Sequence, residues 1–203
     1  MAHAPRKLSV GRSLDAEIVA PVAIIVSRYN HAVTHAMRDG AIAEYLATGG
    51  SRSDVHVFDA PGSYELPILA RAAALTGRYA GVVALGCLIR GETRHDQYIA
   101  HAVAQGLMQV SLETGIPVAF GVLTVETPEQ ATDRAGGSRG NKGHEAMSAL
   151  LDTLQVARAI AQGPDADGAT PTIARALPDK TARRATLAGG NGLSRGSSRG
   201  GRR

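Results

Sequence analysis

Three groups of residues in this 203-residue chain combine reactive side chains with a spacing that chemistry can use. Gly91-Glu92-Thr93-Arg94-His95 stands between an aliphatic run and a helical pattern. Such a loop sets backbone amides at a helix N-terminus, where the positive dipole end favours an anion. A phosphate suits that position; the plainer alternative is a strand-to-helix loop capped by Thr93. His95 has the chemistry of a proton carrier, although a lone loop histidine more often fills a surface or capping role. Arg134 and Lys142 flank the stretch Gly136-Gly137-Ser138-Arg139-Gly140. A planar fork and a point charge would grip a phosphate together; solvated surface charge is the competing description. Tyr29 and Phe120 are conspicuous in a chain with no Trp and only two Phe. They would either sandwich a flat heterocycle or fill the core.

Other chemistry is set aside. His31 and His35 lie four apart on one helix, but with no third ligand nearby they read as exposed residues, not metal ligands. Cys87 is the single cysteine, which rules out an internal disulfide and a multi-thiolate centre within one subunit. At the end of a buried strand it reads as packing, not as a nucleophile. No run approaches the roughly 20 apolar residues that span a bilayer, and Met1 to Val10 lacks the apolar core of a secretion signal. A cytoplasmic address and no membrane partner are expected.

The elements that must position these groups alternate. Val22 to Ser27 is a continuous aliphatic run, the mark of a strand buried on both faces. Val33, Met37, Ala41 and Tyr45 then repeat at helical spacing, with Asn30 placed to cap the helix and Gly49-Gly50 to end it. Val55 to Phe58 predicts a second strand and Glu65 to Thr76 a second helix. Gly81 to Gly86 predicts a third strand, followed by the polar loop Arg90 to His95 and a helix marked by Ile99, Val103, Leu107 and Val110. Val118 to Val125 predicts a fourth strand. Thr127-Pro128-Glu129-Gln130 joins a capping box to a proline at the first helical position. A last helix carries Ala146, Leu150, Leu154, Ala157 and Ala161. Repeated strand-helix units require right-handed crossovers and a parallel sheet. The fold class is therefore α/β, a three-layer α-β-α sandwich with a four-stranded parallel sheet in flavodoxin-like order. Ligands of such sheets bind beyond the carboxyl ends of the strands, and the unusual polar segments all fall there.

Charge divides the chain differently. From Gly163 onward there are eight Arg or Lys against three Asp, a net +5, so the +4 of the whole chain leaves −1 for residues 1–162. With its Gly, Ser and Pro and no apolar period, that segment reads as a disordered basic tail. It would attract RNA or acidic surfaces electrostatically, but it has no aromatic side chain on which bases would stack. Three regions result: an N-terminal arm over 1–19, one domain over 20–162, and the tail over 163–203.

Read in order, Ser27-Arg28-Tyr29-Asn30, Pro61-Gly62-Ser63-Tyr64-Glu65-Leu66-Pro67, Gly86-Cys87-Leu88-Ile89-Arg90-Gly91-Glu92-Thr93-Arg94-His95, Gly121-Val122-Leu123-Thr124 and Asn141-Lys142-Gly143 resemble the motif series of the 6,7-dimethyl-8-ribityllumazine synthases. The similarity runs from about Ala20 to Gln162. The resemblance implies condensation of 5-amino-6-ribitylaminouracil with 3,4-dihydroxy-2-butanone 4-phosphate, the penultimate step of riboflavin biosynthesis, with no metal or organic cofactor. Carried over by position, Tyr29 and Asn30 would meet the pyrimidine, Ser63, Tyr64 and Glu65 the ribityl chain, and Cys87, Leu88 and Ile89 the uracil edge through their backbone. Phe120 would close the ring pocket. Glu92, Thr93 and Arg134 would bind the phosphorylated substrate, Lys142 would support that pocket, and His95 would move protons. Tyr29 stands where Phe or Trp is commoner, keeping a stacking face and adding a hydroxyl; Thr127 replaces a common Asn and still caps.

The resemblance also implies that each site lies between adjacent subunits of a homopentamer, and that the N-terminal arm adds to a neighbour's sheet. Some relatives build a hollow 60-mer from twelve pentamers, with riboflavin synthase as cargo, and the short Gly136 to Gly140 link resembles theirs. The alternatives are a non-catalytic flavin- or lumazine-binding relative that keeps the pocket, and a cage-forming protein whose shell matters in its own right.

Overall fold

The computed structural model describes residues 20–163; the N-terminal arm and the basic tail beyond Gly163 lie outside the described residues. Strand β1 (Val22–Ser27) is buried at all six positions. A strand without polar interruption belongs in the middle of a doubly covered sheet, and β1 is there. The parallel sheet runs β2 (Val55–Ala60), β1, β3 (Gly81–Ile89), β4 (Val118–Val125). This is the expected flavodoxin-like order.

Successive side chains of a strand point to opposite faces, and the core divides accordingly. Val22, Ile24 and Val26 pack with Met37, Tyr45, Met147 and Leu150. Ala23 and Ile25 pack with Leu66, Ala70, Val103 and Leu107. Helices α1 (His31–Ala47) and α5 (Lys142–Gln162) therefore cover one face, and α2 (Leu66–Leu75) and α3 (His95–Thr114) the other. The short helix α4 (Pro128–Arg134) joins the first face through Ala131. Among the described residues no helix is long and apolar enough to cross a membrane.

Several local expectations are corrected. Strand β3 continues to Ile89, so Cys87, Leu88 and Ile89 belong to the sheet, and His95 is the first residue of α3 instead of a loop residue. The N-cap of α3 is Arg94, not Thr93. Asn30 occupies the N-cap of α1 in a left-handed conformation (φ 55°) but makes no capping bond; its side chain is used elsewhere. Thr127 caps α4 by accepting from the Gln130 amide, while Gln130 Oε1 accepts from the Glu126 amide, one residue before the position a capping box would use. The Gly-rich link is a small antiparallel hairpin, β5 (Ala135–Gly137) with β6 (Gly140–Asn141). Alternation cannot reveal strands of three and two residues.

Helices α1 and α5 touch unusually closely. A Cβ at Gly143 would run into the Met37 backbone, and one at Gly40 into the Asn141 side chain, so both positions need glycine. Asn141 locks the contact. Its Oδ1 accepts from the amides of Gly143 (2.8 Å) and His144 (3.2 Å), and its Nδ2 donates to the carbonyls of Ala36 (2.9 Å) and Ala135 (3.2 Å). An N-cap of this type is worth about 1 kcal/mol, and here the same side chain also joins α1 and the hairpin.

Candidate active site

Two groups of polar residues emerge at separate places. The first gathers at the carboxyl ends of β1 and β3 and in the loop after β2. Asn30 Nδ2 donates to the Cys87 carbonyl at 3.0 Å, tying the start of α1 to β3. Tyr29, one residue earlier, is 72% exposed and stands clear of the core, which excludes core filling. Ser63 is 5% exposed, and its hydroxyl has no hydrogen-bond partner. It packs where a Cβ on Gly86 would meet it at 2.6 Å. An unsatisfied buried hydroxyl costs about 1 to 3 kcal/mol, a cost that a ligand hydroxyl would offset. Tyr64 is exposed beside it, and the Glu65 carboxylate lies over Gly62. Leu88 and Ile89 end the strand half-buried, followed by exposed Glu92, Thr93 and His95.

The second group lies on the far side of the sheet edge. Phe120 pairs in register with Ala84, five residues before the β4 terminus that faces Ile89, so it stands about 16 Å short of that end at 3.3 Å per residue. It lines an open cleft of about 390 Å³ with Met108, Leu112, Lys142 and Glu145. Arg134 enters through Glu145, whose two oxygens accept from Nη1 at 3.1 Å and Nη2 at 3.0 Å. Arg134 Nη1 also donates to the Arg139 carbonyl at 2.7 Å. Lys142 Nζ lies 3.6 Å from the same carboxylate. Two cations against one carboxylate leave a net charge of about +1 on an oriented fork, an anion site by its chemistry. None of Tyr29, Ser63 or His95 lines this cleft.

The model for the family described as 6,7-dimethyl-8-ribityllumazine synthase matches residues 20–158. The chain belongs to that family. Among lumazine synthases it is 46% identical to that of Edwardsiella ictaluri over 153 residues, 73% of this chain and 98% of the relative. It is 47% identical to lumazine synthase 1 of Caulobacter vibrioides over 139 residues, 68% and 91% of the two chains. Against the enzyme of Deinococcus radiodurans the figures are 44% over 138 residues, 68% and 89%.

For a lumazine synthase, the structure brings together most of the residues singled out in the sequence, but in two clusters and not one. Tyr29, Asn30, Ser63, Tyr64, Glu65, Cys87, Leu88, Ile89, Glu92, Thr93 and His95 share the carboxyl ends of the strands and the loops that follow them. Phe120 and Lys142 line the cleft, and Arg134 is tied to it through Glu145. Glu145 was missed. Its signal was present as an i,i+3 pair with Lys142 on the first turn of a helix. Met108 and Leu112, which are 61% and 78% exposed on α3, were missed as well; only the buried stripe of that helix had been read.

Cys87 is buried, and burial pushes its thiol up to about 11. The unfolded thiol titrates near 8.5. The stability this group contributes is therefore complete below about 8.5 and is lost as pH rises through the folded value near 11. Native protein at pH 8 is expected to resist a thiol reagent that labels it at once in denaturant; equal labelling rates in the two states would contradict the buried, protonated thiol.

Proposed function

We propose that the chain condenses 5-amino-6-ribitylaminouracil with 3,4-dihydroxy-2-butanone 4-phosphate to 6,7-dimethyl-8-ribityllumazine. The separation of the two clusters carries the assembly reading: a pyrimidine-facing group and an anion-binding group, each incomplete, on one chain whose cleft is rimmed by exposed apolar side chains. A contiguous apolar surface of this kind marks an association site. In a homopentamer the cleft of one subunit meets the strand ends of the next. Tyr29 and the neighbour's Phe120 then enclose the pyrimidine, Ser63 satisfies its hydroxyl on the ribityl chain, and Arg134 and Lys142 hold the phosphate that Thr93 and the amides before α3 face.

The chemistry needs protons moved, not a strong nucleophile. The amine of the uracil attacks the ketone, the carbinolamine loses water to give an imine, the tautomeric enamine expels phosphate to leave an enol that ketonises, and the second nitrogen adds to that carbonyl and closes the ring with loss of a second water. His95 at the exposed start of α3 is placed to accept and return these protons. Most of the acceleration comes from holding two substrates in reactive orientation, an effect worth up to about 7 to 11 kcal/mol. Purified protein given both substrates is expected to develop lumazine fluorescence. His95→Ala should lower kcat about tenfold or more with little change in either KM, since positioned acid-base groups supply roughly 10² to 10⁴ and solvent replaces part of that at an exposed site. Unchanged turnover would remove His95 from the mechanism, and no fluorescence at all would favour the non-catalytic relative. The retention of His95, Arg134 and Lys142 speaks against that relative.

The short β5–β6 connection supports assembly of twelve pentamers into a 60-mer, a cytoplasmic cage for riboflavin synthase as cargo. The tail of residues 163–203 offers positive charge to RNA or acidic cargo.

A further inference from the structure

Whatever fixes the first turn of α5 fixes the phosphate site, because Lys142 and Glu145 both stand on it and Glu145 holds Arg134. Two contacts with α1 have been described, the Asn141 amide and the Gly143 backbone. A third joins two side chains directly. His144 Nε2 lies 2.7 Å from Glu44 Oε2, with the Glu44 side chain only 4% exposed and the His144 side chain 50% exposed. Glu44 follows Met37 by seven residues and Ala36 by eight, so one stripe of α1 carries all three contacts. Consecutive helix residues turn by about 100°. Lys142 and Glu145, three apart, therefore share a side, while His144 between them points back at α1. A helix turn pinned in this way cannot rotate or slide, and the two residues opposite the pin face the cleft lined by Phe120.

We infer that His144 and Glu44 are positioning residues for phosphate recognition: their pair holds the first turn of α5 so that Lys142 and, through Glu145, Arg134 meet the phosphoester at fixed spacing. This rests on the reading of Arg134 and Lys142 as phosphate ligands. Breaking the pair leaves both cations present and lets their separation vary. Binding of the phosphorylated substrate then weakens, and the pyrimidine side is untouched.

Steady-state kinetics on the assembled full-length protein, with each substrate varied in turn, tests this. His144→Ala is expected to raise the KM for the butanone phosphate about fivefold while the KM for the ribitylaminouracil stays within about twofold. Glu44→Ala should match it, and the double variant should be no worse than either single one. His144→Gln, whose amide still donates to Glu44, should recover most of the loss. A purely structural pair would lower kcat through the active fraction and move neither KM, and that result overturns the inference. Should His144→Ala fail to assemble, His144→Asn, with an amide too short to reach Glu44, is read in its place. Titration with inorganic phosphate by calorimetry separates the two levels of the argument. Phosphate binding that depends on His144 in a protein without turnover would sink the enzymatic reading alone, whereas turnover with phosphate binding indifferent to His144 would sink the positioning role alone.

Discussion

Arg134→Ala is expected to lower kcat/KM for the phosphorylated substrate about a hundredfold, since each charge-assisted hydrogen bond to a phosphate contributes about 1.5 to 3 kcal/mol and a fork supplies two. The loss has a second part. Glu145 gives both its oxygens to Arg134 and lies 3.6 Å from Lys142. Removing the guanidinium takes one positive charge and the oriented fork from the site, which weakens its attraction for an anion. Arg134→Lys should recover only part of the rate, because an ammonium cannot reproduce the bidentate geometry. The decisive form of the experiment mixes subunits. Arg134→Ala and His95→Ala proteins, dissociated together in equal amounts and reassembled, should regain about a quarter of the wild-type rate, the fraction of seams in a random ring that pair an intact His95 with an intact Arg134. A mixture no more active than its parts would show that each site draws both residues from one chain.

Leu112→Asp should remove nearly all activity without touching a substrate-binding residue. Leu112 is 78% exposed and lies with Met108 and Phe120 along the cleft. If the cleft is a subunit seam as proposed, burying an unpaired carboxylate there would cost several kcal/mol at every seam. The variant is expected to scatter light as a monomer, keep the wild-type circular dichroism, and turn over at least about a hundredfold more slowly, because a monomer lacks the partner half of its site. Wild-type protein should scatter as the 60-mer. Free pentamers alone at micromolar concentration would refute the shell, and an active monomeric variant would refute the shared site.

The fold was legible because its pattern is coarse. Six consecutive buried residues in β1 admit a central parallel strand and little else, and the helix stripes repeat at the period that packs them on it. What escaped were individual contacts. Asn30 has the residue type and position of a cap, but its amide finds the Cys87 carbonyl across the sheet, a partner 57 residues away that no window along the chain contains. The hairpin at Ala135–Asn141 is too short to show a period. For the site, the motifs gave the residues but not their grouping. That Phe120 stands mid-strand, remote from Tyr29, follows from sheet register, and register is set by three-dimensional pairing. Glu145 and the Glu44–His144 pair were hidden in the same way, one as an ordinary helix charge and the other as two residues 100 positions apart.

The four bonds of Asn141 also impose an order on biosynthesis. Its side chain holds Ala36, from the first helix among the described residues, and the amides of Gly143 and His144, from the last of them. A contact spanning 105 residues cannot close until Asn141 itself has been made and released. The nascent protein therefore has no organised anion pocket until α5 docks, and a translation product truncated before that helix would be a sheet without a grip on substrate.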